Sequence, residues 1–261
     1  MTRLAVLADI HGNLPALKAV IEDMEALQPD QVIVAGDTIN WGPFSRDVLE
    51  LVTSMGWPVI RGNHEFYLLD YNTPRAPKEW ADSLHYPLPR LLHRELAPDW
   101  LGGIAAWPDT LCLCYPDAPP LRVLHGSAKS PWVGIYPISS DQAVEELLAG
   151  IEETTVVTAH THLEMDRIVG RWHIINPGSV GVPLDGMRTA RYALLEGDES
   201  GWRSSPRQVT FDYAPLFEEF KRTRFIEECG VLGQLVVEEF RTARCRVHPF
   251  LVWRNTQSPG E

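Results

Sequence analysis

The stretch "RLAVLADIHGNLPALKAVIEDMEALQPDQVIVAGD", residues 3–37, holds two short apolar runs, Leu4 to Ala8 and Val32 to Ala35, with a helical pattern between them. The runs lack polar alternation, as expected of strands covered on both faces. Between them Leu17, Val20, Ile21, Met24 and Leu27 recur at helical spacing. Asn13 stands where it can cap that helix, and Pro15 falls in its first turn. Strand, helix, strand is the opening unit of an α/β fold.

Working outward, Pro58 to Ile60, Leu121 to Leu124 and Thr155 to Ala159 read as further buried strands, with helices at Ser45 to Met55 and Ser139 to Ala149. From Met165 the pattern changes to "DRIVGRWHIIN", "ARYALLEGD" and "RQVTFDY", separated by Gly, Asp and Ser, which read as antiparallel hairpins. The whole predicts a mixed sheet, or two packed sheets, with helices outside. The main domain is expected over 1–213. Within it residues 66–110, rich in Pro, Trp, Tyr and His, read as a helical insertion with short helices at Lys78 to Leu84 and Leu88 to Leu96. A helical extension is expected over 214–254, with an apolar stripe of Leu232, Leu235, Val236, Val237 and Phe240 that packs on the core or on another subunit. Residues 255–261 are expected to be disordered.

A chain of 261 residues with 44% hydrophobic and 22% charged residues is long enough to bury a full core. Its formal net charge of −12 opposes binding of long nucleic acid, whereas a small anionic substrate stays compatible if bound cations reverse the local field. Cys112, Cys114, Cys229 and Cys245 form no CxxC pair and read as reduced cysteines acting as small hydrophobes. The start at "RLAVLAD" has no signal-peptide character, and no apolar run is long enough to span a bilayer, so a cytoplasmic protein is expected.

Five motifs stand directly after strand-like runs: "ADIHGN" (Asp9, His11), "AGDTIN" (Asp37), "RGNHE" (Asn63, His64), "LHGS" (His125) and "AHTH" (His160, His162). Five of the nine histidines occupy them. The crevice beyond the carboxyl ends of strands is where α/β sheets bind ligands, so sequence-distant residues can converge there. Carboxylate, imidazole and amide donors suit Mn, Fe or Zn better than the all-oxygen shell of Ca or Mg. Two such cations about 3.5–4 Å apart clamp a phosphoryl group and supply hydroxide near neutral pH.

In order and composition these motifs resemble the calcineurin-like metallophosphoesterase superfamily, whose pattern is DxH, GD, GNH, a lone H and GHxH. The resemblance covers residues 9–162 and, more weakly, "INPGSVGVP" at 175–183. It implies a four-layer sandwich of two packed mixed sheets flanked by helices. It also implies that Asp9, His11, Asp37 and His162 hold one divalent cation while Asp37, Asn63, His125 and His160 hold a second, with Asp37 bridging and manganese the first choice of metal. His64 is implied to touch the substrate and to protonate the leaving oxygen.

Two departures narrow the branch. Protein phosphatases of the superfamily carry GDxxDRG, but this chain reads "GDTINWGP": Asn40 stands where an acid would orient the catalytic histidine, and Trp41 replaces a phosphate-binding arginine. The final motif opens with Ala159 instead of glycine. These differences point to the small prokaryotic phosphodiesterase and phosphatase branch. The expected activity is hydrolysis of a small phosphodiester or phosphomonoester, with nucleotides among the candidate substrates, by a hydroxide generated at the two cations. Serine/threonine protein phosphatase, dinucleoside polyphosphate hydrolase and a non-catalytic metal-holding scaffold are the rival readings.

Outside the motifs, Arg61 and Arg46 are the candidates for the missing phosphate arginine. Tyr67, His85, Tyr86, Arg90 and His93 are candidates for stacking on a base or binding phosphate, against the plainer reading that they bury the insertion. "NPGSVG" reads either as a tight turn or as a row of amides facing the cleft. His173 reads as an ordinary strand residue, and His248 has no motif around it. Oligomeric state and natural substrate are not written in these patterns.

Overall fold

The computed structural model describes residues 1–81, 84 and 86–256; His85 and the 257–261 end lie outside the described residues. The predicted opening unit is present as β1 (Thr2–Leu7), α1 (Leu14–Leu27) and β2 (Gln31–Val34), with β1 and β2 parallel. Asn13 caps α1 by accepting from the Ala16 amide at 3.2 Å. Then come α2 (Ser45–Ser54), α3 (Asn63–Asp70), a 3-10 turn (Lys78–Ala81), α4 (Pro87–Ala105), β3 (Thr110–Tyr115), β4 (Ala118–Leu124), α5 (Asp141–Leu147) and β5 (Thr155–Val157). β6 (Glu164–Val169), β7 (Trp172–Pro177), β8 (Ala190–Asp198) and β9 (Gly201–Val209) lead into α6 (Ala214–Arg222), α7 (Phe225–Thr242) and α8 (Val247–Thr256).

The strands form two mixed sheets, ordered β2-β1-β8-β9 and β3-β4-β5-β7-β6. Within them β4-β5 and β5-β7 are parallel like β1-β2, while β1-β8, β8-β9, β3-β4 and β6-β7 are antiparallel. Strand alternation assigns each residue to a layer. Ala5 and Leu7 of β1 face Leu17, Val20 and Met24 of α1 and Val48 and Val52 of α2. Leu4 and Val6 point the other way, into a second layer shared with Leu121, Val123, Val157 and Ile175 of the opposite sheet. Val156 and Ile174 face outward onto Val144 and Leu148, around α5. The result is helices, sheet, sheet, helix: the α/β sandwich of two mixed sheets. Each fully buried Leu, Ile or Val contributes roughly 1.5–3 kcal/mol of apolar burial to holding these layers together.

Several elements differ from expectation. Pro58 to Ile60 is not a strand; it makes one isolated bridge, Val34 to Val59. α5 is shorter than the helix expected over Ser139 to Ala149, and the last strand starts at Gly201 and ends at Val209, before "TFDY". The expected helix from Leu88 to Leu96 is a 19-residue helix, α4, and α3 was not anticipated. Among the cysteines only Cys229 is buried; Cys112 and Cys114 share the exposed face of β3. The α7 stripe packs intramolecularly, in a cluster with Leu88 and Leu91 of α4, Val182, Leu216 and Phe225. No helix is long and apolar enough to cross a membrane among the described residues.

Candidate metal centre

The carboxyl ends of the parallel strands bring the motif residues together. Asp9 and His11 follow β1, Asp37 follows β2, His125 follows β4, and His160 and His162 follow β5. Asn63 and His64 instead occupy the first turn of α3. Asp9, His11, Asp37, His125 and His162 are each at most 4% exposed. Their backbones are unusual: Asp9, His11, Asp37, His160 and His162 all have φ between 48° and 68°, the left-handed region. Non-glycine residues there cost on the order of 1–3 kcal/mol each, and Asp and His tolerate it better than most. The turns aim five side chains into one crevice at that cost.

Backbone partners hold the turns. The Asp9 amide bonds the Gly36 carbonyl at 3.1 Å, and the His11 amide bonds the Asp37 carbonyl at 2.9 Å. Glu65, which sequence reasoning quoted without assigning a role, is 0% exposed and accepts from the amides of Asp37 (3.0 Å), Thr38 (2.8 Å) and Gly62 (2.7 Å). It staples the turn after β2 to the start of α3. Gly62 must be glycine at this junction, because a Cβ would lie 2.2 Å from Asp37 Oδ1. "NPGSVG" clamps the end of β1: Ser179 Oγ and the Gly181 amide donate to the Asp9 carbonyl, at 2.7 and 3.0 Å, and the Val180 amide donates to that of Ala8 at 2.9 Å. Two amides of that turn are thus spent on the strand end and do not face the cleft. A Cβ on Gly181 would stand 1.9 Å from the Ile10 carbonyl oxygen, so the approach requires glycine.

Asp9, His11, Asp37 and His162 place one donor atom each within 4.8 Å of one another, as do Asp37, His125 and His160, so Asp37 belongs to both groups. Its Oδ1 accepts from the His64 amide at 2.8 Å, and its Oδ2 lies 3.6 Å from His11 Nε2 and 3.2 Å from His125 Nε2. Asn63 Oδ1 joins the second group, 3.0 Å from His125 Nε2 and 2.7 Å from His160 Nδ1. His162 Nε2 is 3.1 Å from His11 Nε2 and 3.3 Å from Asp9 Oδ1.

The donor set fits cations. His125 Nδ1 lies 2.8 Å from the Ala35 carbonyl and His162 Nδ1 2.5 Å from that of Val182. A carbonyl only accepts, so each Nδ1 carries the proton and each Nε2 presents a lone pair inward. Those lone pairs face carboxylate and amide oxygens, an arrangement that is repulsive unless a positive charge lies between. Asp9 Oδ1 is buried with no hydrogen bond. Burial acts to lower the His125 pKa, but the charge and hydrogen bond of Asp37, with Asp9 and Ala35, raise it to about 10. Burial likewise acts against His162, and Asp9 and Val182 raise it. Asp37 is opposed by burial yet held well below the usual carboxylate range by His125 and His64. Burial, then the neighbouring His125 charge, takes His160 down to about 3, and burial dominates in lowering His11.

His64, 6% exposed, stands at the edge of both groups with Nε2 4.0 Å from Asp37 Oδ2. Burial takes it down to about 4, with the Asp37 charge acting the other way. Its Nδ1 has no hydrogen-bond partner. Asn40 does not orient it: the Asn40 Oδ1 accepts from the Trp41 amide, at 2.8 Å, and its Nδ2 is unpartnered. Trp41 stacks on His11 with ring centroids 4.6 Å apart and meets His64 edge-on at 4.9 Å.

The other candidates lie elsewhere. Arg61 pairs with Asp109 and the Ala105 carbonyl, and Arg46 with Asp99 and the Glu95 carbonyl, so neither replaces the missing arginine. His173 bonds Asp166 at 2.8 Å across the β6-β7 pair. His93 packs beside Tyr71, Arg90 is exposed, and Tyr86 is buried; Tyr67 reaches the site, 5.1 Å from the His64 ring.

A family model described as calcineurin-like phosphoesterase matches residues 2–164. Among curated proteins, the phosphodiesterase YfcE of Escherichia coli K12 is 26% identical over 208 residues, 76% of this chain and 89% of YfcE. Among solved structures, the hypothetical protein PH1004 from Pyrococcus horikoshii OT3 superposes with a TM-score of 0.79 at 22% identity, covering 94% of this chain and all of that one. A metallophosphoesterase from Sphaerobacter thermophilus superposes with a TM-score of 0.71 at 23% identity, over 93% of this chain and all of its own.

Proposed function

The chain belongs to the calcineurin-like phosphoesterase family, a family of phosphoester hydrolases, and from that premise we propose that it hydrolyses a small phosphodiester or phosphomonoester at a two-cation centre. The observation that carries the reading is the pair of donor groups sharing Asp37. Asp9, His11, Asp37 and His162 would hold one cation; Asp37, Asn63, His125 and His160 would hold the other. Bound there, divalent cations such as Mn would supply hydroxide near neutral pH and neutralise charge developing on the phosphoryl oxygens.

The remaining steps fall to the chain. The carbonyls of Ala35 and Val182 keep His125 and His162 in the tautomer that turns Nε2 inward. Glu65 and the 175–183 turn fix the backbones that carry Asp37 and Asp9, so the donors are aligned before substrate arrives. His64 is the proton donor to the leaving oxygen. Burial opposes its charged form, and the negative phosphoryl group it meets favours that form.

The departures at Asn40 and Trp41 argue against protein phosphatase activity, and the phosphodiesterase named among the relatives supports the small-substrate branch. The test is turnover of simple mono- and diesters by metal-reconstituted protein. Hydrolysis abolished by chelation and by Asp37→Ala is expected. Absence of hydrolysis with cations bound, or an Asp37→Ala variant as active as the parent, would return the chain to the scaffold reading.

A further inference from the structure

The surroundings of the centre point to the kind of molecule esterified to the phosphate. Among the described residues no Lys or Arg is hydrogen-bonded or ion-paired to any of the eight motif residues; the partners of their side chains are one another, carbonyls and amides. What borders them is aromatic. From His64 the rings continue to Tyr67 at 5.1 Å, from Tyr67 to Trp80 (stacked, 4.7 Å) and to Trp132 (edge-on, 5.3 Å). Trp80 is buried, but Trp132 is 42% exposed.

Trp132 lies in a loop that touches the centre directly. A Cβ on Gly134 would meet Thr161 Cγ2 at 2.7 Å and His160 Cδ2 at 2.9 Å, so the loop backbone is pressed against the last histidine motif. Of the twelve large hydrophobic residues exposed among those described, four, Trp132, Val133, Tyr136 and Ile138, fall within these seven positions. Concentrated exposure of this kind marks a binding surface more often than chance packing. The loop is also held in shape without ligand. The Ser127 amide bonds the Ser130 carbonyl (3.1 Å), the Trp132 amide bonds Ser130 Oγ (3.1 Å), and the Tyr136 amide bonds Ser139 Oγ (3.1 Å).

We propose that Trp132, backed by Tyr67 and Trp80 and flanked by Tyr136, is a stacking platform for a nucleobase, and that the substrate is a nucleoside ester with a single phosphorus. The proposal rests on the phosphoesterase reading of the centre. An aromatic face accepts any base and gives sequence-tolerant affinity. Sites that bind polyphosphate chains hold Arg or Lys against the further charges, and among the described residues none is bonded to the motif residues.

The test compares thymidine 5′-(p-nitrophenyl phosphate) with methyl p-nitrophenyl phosphate, which share a leaving group and differ in the nucleoside. For the metal-loaded parent, kcat/KM is expected to favour the nucleoside ester by about ten- to a hundredfold, the range of one base stacked on an aromatic ring. Trp132→Ala is expected to lower that ratio to near one, and Trp132→Phe to restore most of it. Ile168→Ser, at a 75% exposed position on β6 outside this loop, is expected to keep it. Turnover of both esters with a ratio near one in the parent, or a ratio untouched by Trp132→Ala, overturns the platform alone. No turnover of either ester overturns the phosphoesterase reading and this inference with it. A parent that prefers diadenosine tetraphosphate over the nucleoside ester overturns the single-phosphorus part.

Discussion

At the scale of single residues, Asp37 and Asn63 should separate cleanly. Asp37 belongs to both donor groups, whereas Asn63 Oδ1 faces only His125 and His160. Asp37→Ala is therefore expected to lose both cations on dialysis, and Asn63→Ala to keep one; elemental analysis of the dialysed proteins measures this. One tightly held cation in Asp37→Ala would break the idea of a shared carboxylate. His64 should show its role through the leaving group. A proton donor matters most when the departing oxygen is basic, so His64→Ala is expected to slow an alkyl ester on the order of 10²–10⁴-fold and a p-nitrophenyl ester far less. Equal losses on both would assign His64 to binding or structure. These side chains were legible in the sequence because ligand chemistry is written in residue type. Glu65, the Val182 carbonyl and the clamping bonds of Ser179 to Gly181 were not, since their work depends on which backbone groups the fold brings within 3 Å.

At the scale of elements, the strands that bear ligands were readable from unbroken apolar runs, and the misreadings have identifiable causes. Pro58 has no amide to give a ladder, and only Val59 pairs with β2, so this run guides the chain to α3 without joining the sheet. In α4, Pro98, Gly102 and Gly103 read as breakers, worth about 3 kcal/mol for Pro and about 1 for each Gly. The helix runs through them because Leu91, Leu92, Leu96 and Ile104 bury one face while Pro98 sits on the exposed one. The link between β4 and the turn before β5 carries a pH prediction. Burial tends to raise Glu153, but its two bonds from Arg122, at 2.7 and 3.1 Å, and one from Cys112 outweigh it and bring it to about 2. A carboxylate lowered in the folded state contributes stability above its unfolded value, near 4.5, and loses that contribution as pH falls toward 2. The Tm difference between parent and Glu153→Gln should accordingly be largest at neutral pH and shrink between about pH 4.5 and 2. A difference that stays constant over this range would mean that the pair does not act through its charge.

At the scale of the whole molecule, the two donor groups are supported from different directions. His125 is fixed by the Ala35 carbonyl within the sandwich, whereas His162 is fixed by that of Val182, and Val182 is buried in the cluster formed by α4, α6, α7 and α8. Trp41, stacked on His11, packs against the same cluster. The C-terminal helices thus stand behind His11 and His162 of the first group, through Trp41 and Val182. Phe240, 3% exposed and 5.5 Å from the Phe220 ring, is central to that support. Phe240→Ala should destabilise the fold by about 3–5 kcal/mol through the cavity it leaves. In a chain this size that lowers Tm by roughly 10 °C. Coupling to the centre predicts more than lost stability: under conditions where the variant stays folded, a metal titration should show one of two binding steps weakened and the other close to the parent. Double variants with Asn63→Ala or His162→Ala identify the weakened step, which should survive the first change and vanish with the second. Two steps weakened alike, or neither, would mean that the helices stabilise the sandwich without tuning its centre.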